Sequence, residues 1–589
     1  MTAPYLYIEL AIAVPAALSI AAFISRSEKQ SWLAALAASL ASLFLTSFVE
    51  LAGAEGSWRI GGFIRLGARV LGYTFVADPY SRLMAVTTAT ISFLVILFSR
   101  DYMSGDPGYR RYYAALLLFE AAMLGVAYAA NLVTLLVFWE ILGFTSFILI
   151  GYWYQKPRAR RAARLALLVT GSADLGLIAA VVYGAAHSQA YALPLSTAPA
   201  IVLALVSVAA LAKSAQFPLH IWLLEAMEAP TTVSALLHSA TMVAAGAYLL
   251  ERIHPALLAH RGLLLDVSAL GCFTALYAAI LALREIDAKR VLAYSTVSNL
   301  GVMIALLYAP TPAPSMVHLV VHAFFKATLF LAIAAAIHSI GSTSLAAMGG
   351  LRRRLPYSYA AAVAASLAQV GLPLYGVWDS HVAAEAAWGE WLRAALYAEA
   401  LLAGLYIGRW LALAYHGEPR TREAARAEEH AFMRATYVLL IPLIAVSGAA
   451  ALRLLGVSAL RSALLCPGAA LSSALGLAGL AVSVYAYSAR TRTGVEVVAQ
   501  PLALLDKGLY AAYYTAIPMG FLGLGRGAAF SEEALERLHE EPATYMALGL
   551  GSLDEPPRRR GAQYMLLLGF FAASAIIIVA YAVSAYVHP

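Results

Sequence analysis

Seven ionisable side chains stand in otherwise apolar stretches of this chain. They are Glu140 in LLVFWEILGFTSF, Asp174 in LLVTGSADLGLI, Lys213 in LAKSAQFP, His238 in SALLHSATMV, and His318, His322 and Lys326 in HLVVHAFFKATLF. The last three recur every four residues. On an α-helix each such step turns by roughly 40° and climbs about 6 Å, so they form one polar stripe. Histidine changes charge near neutral pH, and a lysine can exchange a proton with a carboxylate that approaches and recedes. The chemistry open to this set is proton transfer. Lys213 and Glu140 would act as carriers, the histidines as relays, with water filling the gaps.

Taken singly, each residue has a plainer reading. Glu140 could be a structural acid, Lys213 could answer backbone carbonyls freed at a helix break, and His238 could simply pack. His318 could sit at an interface. Glu225, Glu228, His220 and Glu251 read as helix-end residues in water, and Asp78, in FVADPYS, as a helix cap. Seven such groups spread over several spans are harder to account for by packing, because a charge at bilayer depth costs about 2.5–3.5 kcal/mol or more.

The elements that must hold them are membrane helices. Of 589 residues 62% are hydrophobic and 12% charged, and mean hydropathy is +0.75. A soluble chain would carry about twice that charged fraction. Apolar runs of bilayer length recur throughout, and the reading is an all-α membrane protein of about sixteen spans. They lie near 4–24, 31–52, 83–99, 112–130, 132–152, 163–185, 198–222, 231–251, 263–283, 290–309, 315–340, 357–388, 392–416, 435–455, 466–488 and 563–587. The start, MTAPYLYIELAIAV, lacks a basic n-region and is expected to be a retained first span. Odd-numbered loops hold twenty Lys and Arg residues against nine in even-numbered loops, which predicts odd loops in the cytoplasm and both termini outside. The net charge of +7 therefore reflects topology rather than nucleic-acid binding.

Two spans carry a mid-length proline, Pro218 in AKSAQFPLHIW and Pro373 in QVGLPLYGVWDS. They are the seventh and twelfth, five spans apart. Paired broken helices point to an internal repeat with ion sites at the breaks, and an odd block size makes the repeats inverted. The expected divisions are spans 1–3 (1–111), a first five-helix repeat (112–251), a second (263–416), spans 14 and 15 (435–488), an amphipathic surface segment (490–562) and a final span (563–589). Two cysteines, Cys272 and Cys466, are too few for an iron–sulfur cluster. No haem, Walker or dinucleotide motif is visible, so no cofactor and no metal are expected in this chain.

FWEILGFTSFILIGYWY, AKSAQFPLHIWLLEAMEAPTTVSALLHSATMVAAGAYLL, DAKRVLAYSTVSNLGVM and VHLVVHAFFKATLFLA together resemble the antiporter-like membrane subunits of respiratory complex I. That family is shared with Mrp-type antiporters and membrane-bound hydrogenases. The resemblance covers roughly residues 75–455, and overall length is most similar to the NuoL-type subunit. It implies that Glu140, Asp174, Lys213, His238, His322 and Lys326 lie on a proton path, with His318 joined to it by spacing. It also implies inverted five-helix repeats, partner antiporter-like subunits, a quinone-site module and a peripheral iron–sulfur arm. Quinone and iron–sulfur clusters would then belong to those partners.

The chain departs from the family twice. Where the second broken helix usually carries GFxSKDE, this one reads GVWDSHVAAE, leaving Ser380 or His381 in the lysine's place. Asp379, His381 and Glu385 are candidates for a substitute carrier. The prolines and glycines of 490–562 also predict a broken rather than continuous lateral helix. The leading expectation is a proton-translocating subunit of a redox-driven quinone oxidoreductase in a prokaryotic plasma membrane. The others are a Na⁺/H⁺ antiporter or hydrogenase subunit, the membrane half of an inorganic-carbon uptake complex, and a purely structural anchor.

Overall fold

The computed structural model describes residues 3–66, 69–186, 192–384, 389–457, 466–488 and 507. Helices α1 (Ala3–Ile24) and α2 (Glu28–Leu51) are followed by a hairpin of β1 (Gly56–Leu66) and β2 (Arg69–Ala77). Then come α3 (Pro79–Tyr102), α4 (Tyr109–Tyr128), α5 (Leu132–Ile150), α6 (Pro157–Ala186), α7 (Ala200–Lys213), α8 (Ile221–Glu225), α9 (Thr231–Ser239) and α10 (Met242–Arg252). The rest is α11 (His254–Ala259), α12 (Arg261–Ala282), α13 (Ala288–Leu306), α14 (Ala313–Ile340), α15 (Pro356–Gln369), α16 (Trp378–Ala384), α17 (Glu390–Tyr415), α18 (Ala431–Leu454) and α19 (Pro467–Ser488). Among the described residues, eleven helical segments, one of them α9 and α10 taken together, are long and apolar enough to cross a membrane. A helix or broken helix stands at each of the first fifteen expected spans. The segment 490–562, apart from residue 507, and the span 563–587 lie outside the described residues.

The hairpin is an addition to the all-helical expectation. Its strands pair antiparallel from Gly56↔Ala77 to Leu66↔Arg69, with an irregularity between Ile60 and Ile64. It is pinned to the bundle at its base. The Trp58 indole donates to Glu9 on α1 (3.1 Å), and the Thr74 N–H donates to the Thr134 hydroxyl on α5 (2.8 Å). Asp78 caps α3 as expected, its side chain accepting from the Ser81 N–H at 2.9 Å.

Three spans are broken, and each break satisfies the backbone groups it frees, as a membrane interior demands. In the seventh span α7 stops at Lys213, and Ala215 takes φ +49° before Pro218. The Trp222 indole donates to the Ala212 carbonyl (3.0 Å) and the Gln216 amide to the Ser214 carbonyl (2.8 Å). In the twelfth span α15 stops at Gln369, and Gly371, Leu374 and Gly376 all have positive φ. A Cβ at Gly376 would run into the Ala368 backbone, so this turn requires glycine. The third break, in the eighth span between α9 and α10, was not foreseen. It carries neither proline nor glycine, and its freed carbonyls are met by hydroxyls: Thr241 donates to Leu236 (2.5 Å) and Thr88 to Ala240 (3.2 Å).

Packing relies on small residues, which let backbones approach where no water drives helices together. Gly271 on α12 and Gly301 on α13 face each other, and a Cβ on Gly301 would lie 2.5 Å from the Gly271 carbonyl. Carboxylates on neighbouring segments serve as distant caps. Asp101 at the end of α3 accepts from the N–H groups of Phe432 (2.7 Å) and Met433 (3.2 Å) at the start of α18. Glu429 accepts from Ser358 (2.6 Å) and Tyr357 (3.2 Å) at the start of α15.

Candidate functional site

The first polar centre lies where α5, α6 and the broken end of α7 meet. Lys213 is fully buried and its ammonium is 3.2 Å from an Asp174 carboxylate oxygen. The other Asp174 oxygen accepts from the Trp139 indole at 2.6 Å, and the Lys213 nitrogen stands 4.8 Å from the centre of the Trp139 ring. Two donors thus hold one carboxylate, and the ring braces the amine from the side. A Cβ built at Gly143 would lie 3.2 Å from that amine. Because Trp222 and Gln216 answer the carbonyls of the break, Lys213 is free for Asp174, which disposes of its plainer reading. The direct contact of Lys213 is with Asp174, one helix further on, while Glu140, on an exposed position of α5, stands within electrostatic range of both.

The second centre surrounds α14. His318 is 2% exposed, and His322 and Lys326 are fully buried on the same helix. Lys326 donates to the Ser295 hydroxyl on α13 (2.6 Å), which meets the Tyr406 hydroxyl on α17 at 3.0 Å. Gln369, the last residue of α15, donates to Tyr406 (2.7 Å), and Ser298 donates to buried Glu399 (2.9 Å). Glu399, Tyr406 and Gln369 were not singled out from the sequence. Each lies on a helix that reads as an ordinary span, and only the three-dimensional crossing brings them to Lys326.

His318 links the stripe to the second broken helix. Its ring nitrogens lie 3.0 Å from the Ser380 hydroxyl and 3.2 Å from the Asn299 side-chain oxygen. The His381 ring stacks 6.4 Å away, and Asp379, Ser380 and His381 are all buried. Glu385 lies outside the described residues. His238 sits at the end of α9 beside the third break, its ring centroid 4.8 Å from that of Phe330 on α14. Neither ring nitrogen of His238 has a hydrogen-bond partner among the described residues. The His322 ring faces the backbone of Ser239, the last residue of α9, so it stands at the third break as His238 does.

Two helix-end assignments are corrected. His220 is fully buried, and Glu251 is 2% exposed, accepting from the Ser315 hydroxyl on α14 at 2.7 Å. Glu225 behaves as expected at a helix end and pairs with Arg290 at 3.2 Å. Among the described residues no cluster of three or more His, Cys, Asp or Glu side chains could hold a metal ion.

Residues 129–384 match the family described as NADH:quinone oxidoreductase/Mrp antiporter, TM, and residues 63–113 match complex I chain 5 N-terminus. The chain belongs to the antiporter-like membrane subunit family of complex I and Mrp complexes. It is 39% identical over 334 residues to NAD(P)H-quinone oxidoreductase chain 5 of Synechocystis, a match covering 52% of this chain and 48% of the relative. The chloroplastic subunit 5 of Ipomoea purpurea is 37% identical over 327 residues, covering 51% and 46%. The chain thus spans about half the length of the curated relatives it matches. A solved structure of the Mrp complex from Dietzia superposes with TM-score 0.68 at 25% identity, covering 97% of this chain and 63% of the other. Both breaks at Pro218 and Pro373, and every ionisable residue described at the two centres except Glu399 and Tyr406, fall within 129–384.

Proposed function

We propose that this antiporter-like subunit translocates protons within a redox-driven quinone oxidoreductase complex. The observation that carries the reading is the burial of Lys213 with Asp174 at one broken helix and of Lys326 with its hydroxyl network on α14. Two lysines taken out of water, each on a short polar chain, are costly to maintain for structure alone. Redox chemistry elsewhere in the complex would perturb one centre, and the resulting charge shift would change whether Lys213 stays with Asp174. His238, with no hydrogen bond of its own among the described residues, and His322, against the same break, are suited to relay between the centres. The inverted repeats, the quinone and iron–sulfur partners and the prokaryotic plasma membrane belong to this proposal. Lys213→Ala in membrane vesicles should abolish proton pumping coupled to quinone reduction while leaving membrane insertion intact; normal pumping would refute the reading.

The likeness to the Mrp complex over 97% of the chain supports a second reading, a cation/proton antiporter without electron transfer. Sodium-dependent collapse of a pH gradient in vesicles lacking any electron donor would favour it.

A further inference from the structure

Glu251 is unlike the other acids of this bundle. It lies at the last turn of α10, 2% exposed, and takes one hydrogen bond, from Ser315. Its second carboxyl oxygen has no partner among the described residues. The adjacent Arg252 lies within electrostatic range of Glu251 but makes its ion pair with Asp78. Ser315 in turn starts the polar stripe of α14. Positions 315, 318, 322 and 326 follow at helical spacing, so their side chains line one face over about 16 Å, half of a ~30 Å bilayer core. The helix end is near the surface of the chain: Pro255, four residues past Glu251 in the even-numbered loop, is exposed. A buried carboxyl with one free oxygen thus stands between the end of the stripe and the even-numbered-loop face.

We propose that Glu251 is the outlet carrier for protons leaving the α14 stripe. The inference rests on the proton-translocation reading above and adds its terminal group. In the transfer, a His318 N–H breaks and its proton passes to the Ser315 oxygen, through one bridging water where the two do not touch. The Ser315 O–H proton moves along the existing hydrogen bond to the Glu251 carboxylate. Glu251 then gives up its proton to water at the even-numbered-loop face, and His318 regains one from His322. No electrons are exchanged, and each donor is restored by the next proton.

The test uses inverted membrane vesicles in which the full chain is assembled in its native complex, and reads protons moved per quinone reduced. Glu251→Gln keeps the shape and the acceptor for Ser315 but cannot carry a proton; the ratio should fall by half or more. Glu251→Asp should restore most of it, and Ser315→Ala should lower it. The infrared band of a protonated carboxyl, observed during turnover, should disappear in Glu251→Gln. Lys213→Ala serves as the reference. If it abolishes pumping while Glu251→Gln and Ser315→Ala pump at the wild-type ratio, the outlet assignment is overturned and the broader reading stands. If Lys213→Ala itself pumps normally, both fall. Should Glu251→Gln fail to assemble, Ser315→Ala decides alone, and an unchanged ratio overturns the proposal.

Discussion

Lys213 and Asp174 meet at 3.2 Å with both side chains buried, and Asp174 is held from its other oxygen by the Trp139 indole. Removing one member of a buried pair strands the other charge, at about 3–5 kcal/mol. Asp174→Ala should therefore both stop pumping and lower the thermal stability of the solubilised protein. The double variant Asp174→Asn with Lys213→Met should recover stability without pumping. A double-mutant cycle on melting temperature checks the coupling.

Trp139→Phe removes the indole donor but keeps a ring beside the ammonium. A hydrogen bond to a charged group contributes about 1.5–3 kcal/mol, so a loss of stability in that range is expected. Coupled proton transport should slow without vanishing, because Lys213 keeps its carboxylate. Comparing initial pumping rates with melting curves separates the two effects.

Gly301→Leu places a side chain where the Gly271 backbone already stands, with a Cβ only 2.5 Å from its carbonyl. Neither helix backbone can yield cheaply, and overpacking of this kind costs about 1–3 kcal/mol or more. Membrane insertion yield should drop sharply, whereas Leu at the open Gly262 should be tolerated. Fluorescence-detected size exclusion of tagged chains would show the contrast.

Glu429, in the loop before α18, is held above the usual carboxyl range by burial, with the Ser358 and Tyr357 N–H groups and Arg434 pulling the other way. A carboxyl whose folded value is raised adds stability at acid pH, and that contribution is lost as pH rises through the folded value. Glu429→Gln should flatten this dependence and leave the variant relatively more stable at alkaline pH. Melting curves across the mildly acidic to alkaline range test the sign.

Much of the bundle was legible because a membrane span writes itself as a long apolar run, and Pro218 and Pro373 mark their breaks chemically. The hairpin was missed because GSWRIGGFIRLGARVLGYTFVA is rich in glycine and arginine and reads as a loop between spans. The break beside His238 was missed for a different reason. Its hydroxyls from Thr241 and Thr88 replace lost helix bonds, and one of those threonines is on another helix. At the site, residue types located the ionisable groups, but pairing is a matter of which helices cross. That is why the direct bond of Lys213 to Asp174 could not be told from its electrostatic neighbour Glu140, and why Glu251 looked like a surface residue.

Gly143 decides how closely α5 can approach the lysine centre. A methyl at this position would press on the amine at 3.2 Å, tighter than an ordinary van der Waals contact, while the amine already holds Asp174 at the same distance. In a core packed as densely as an organic crystal, one added carbon is felt directly by its neighbours. A residue with no side chain thereby keeps room for one of the two fully buried lysines among the described residues.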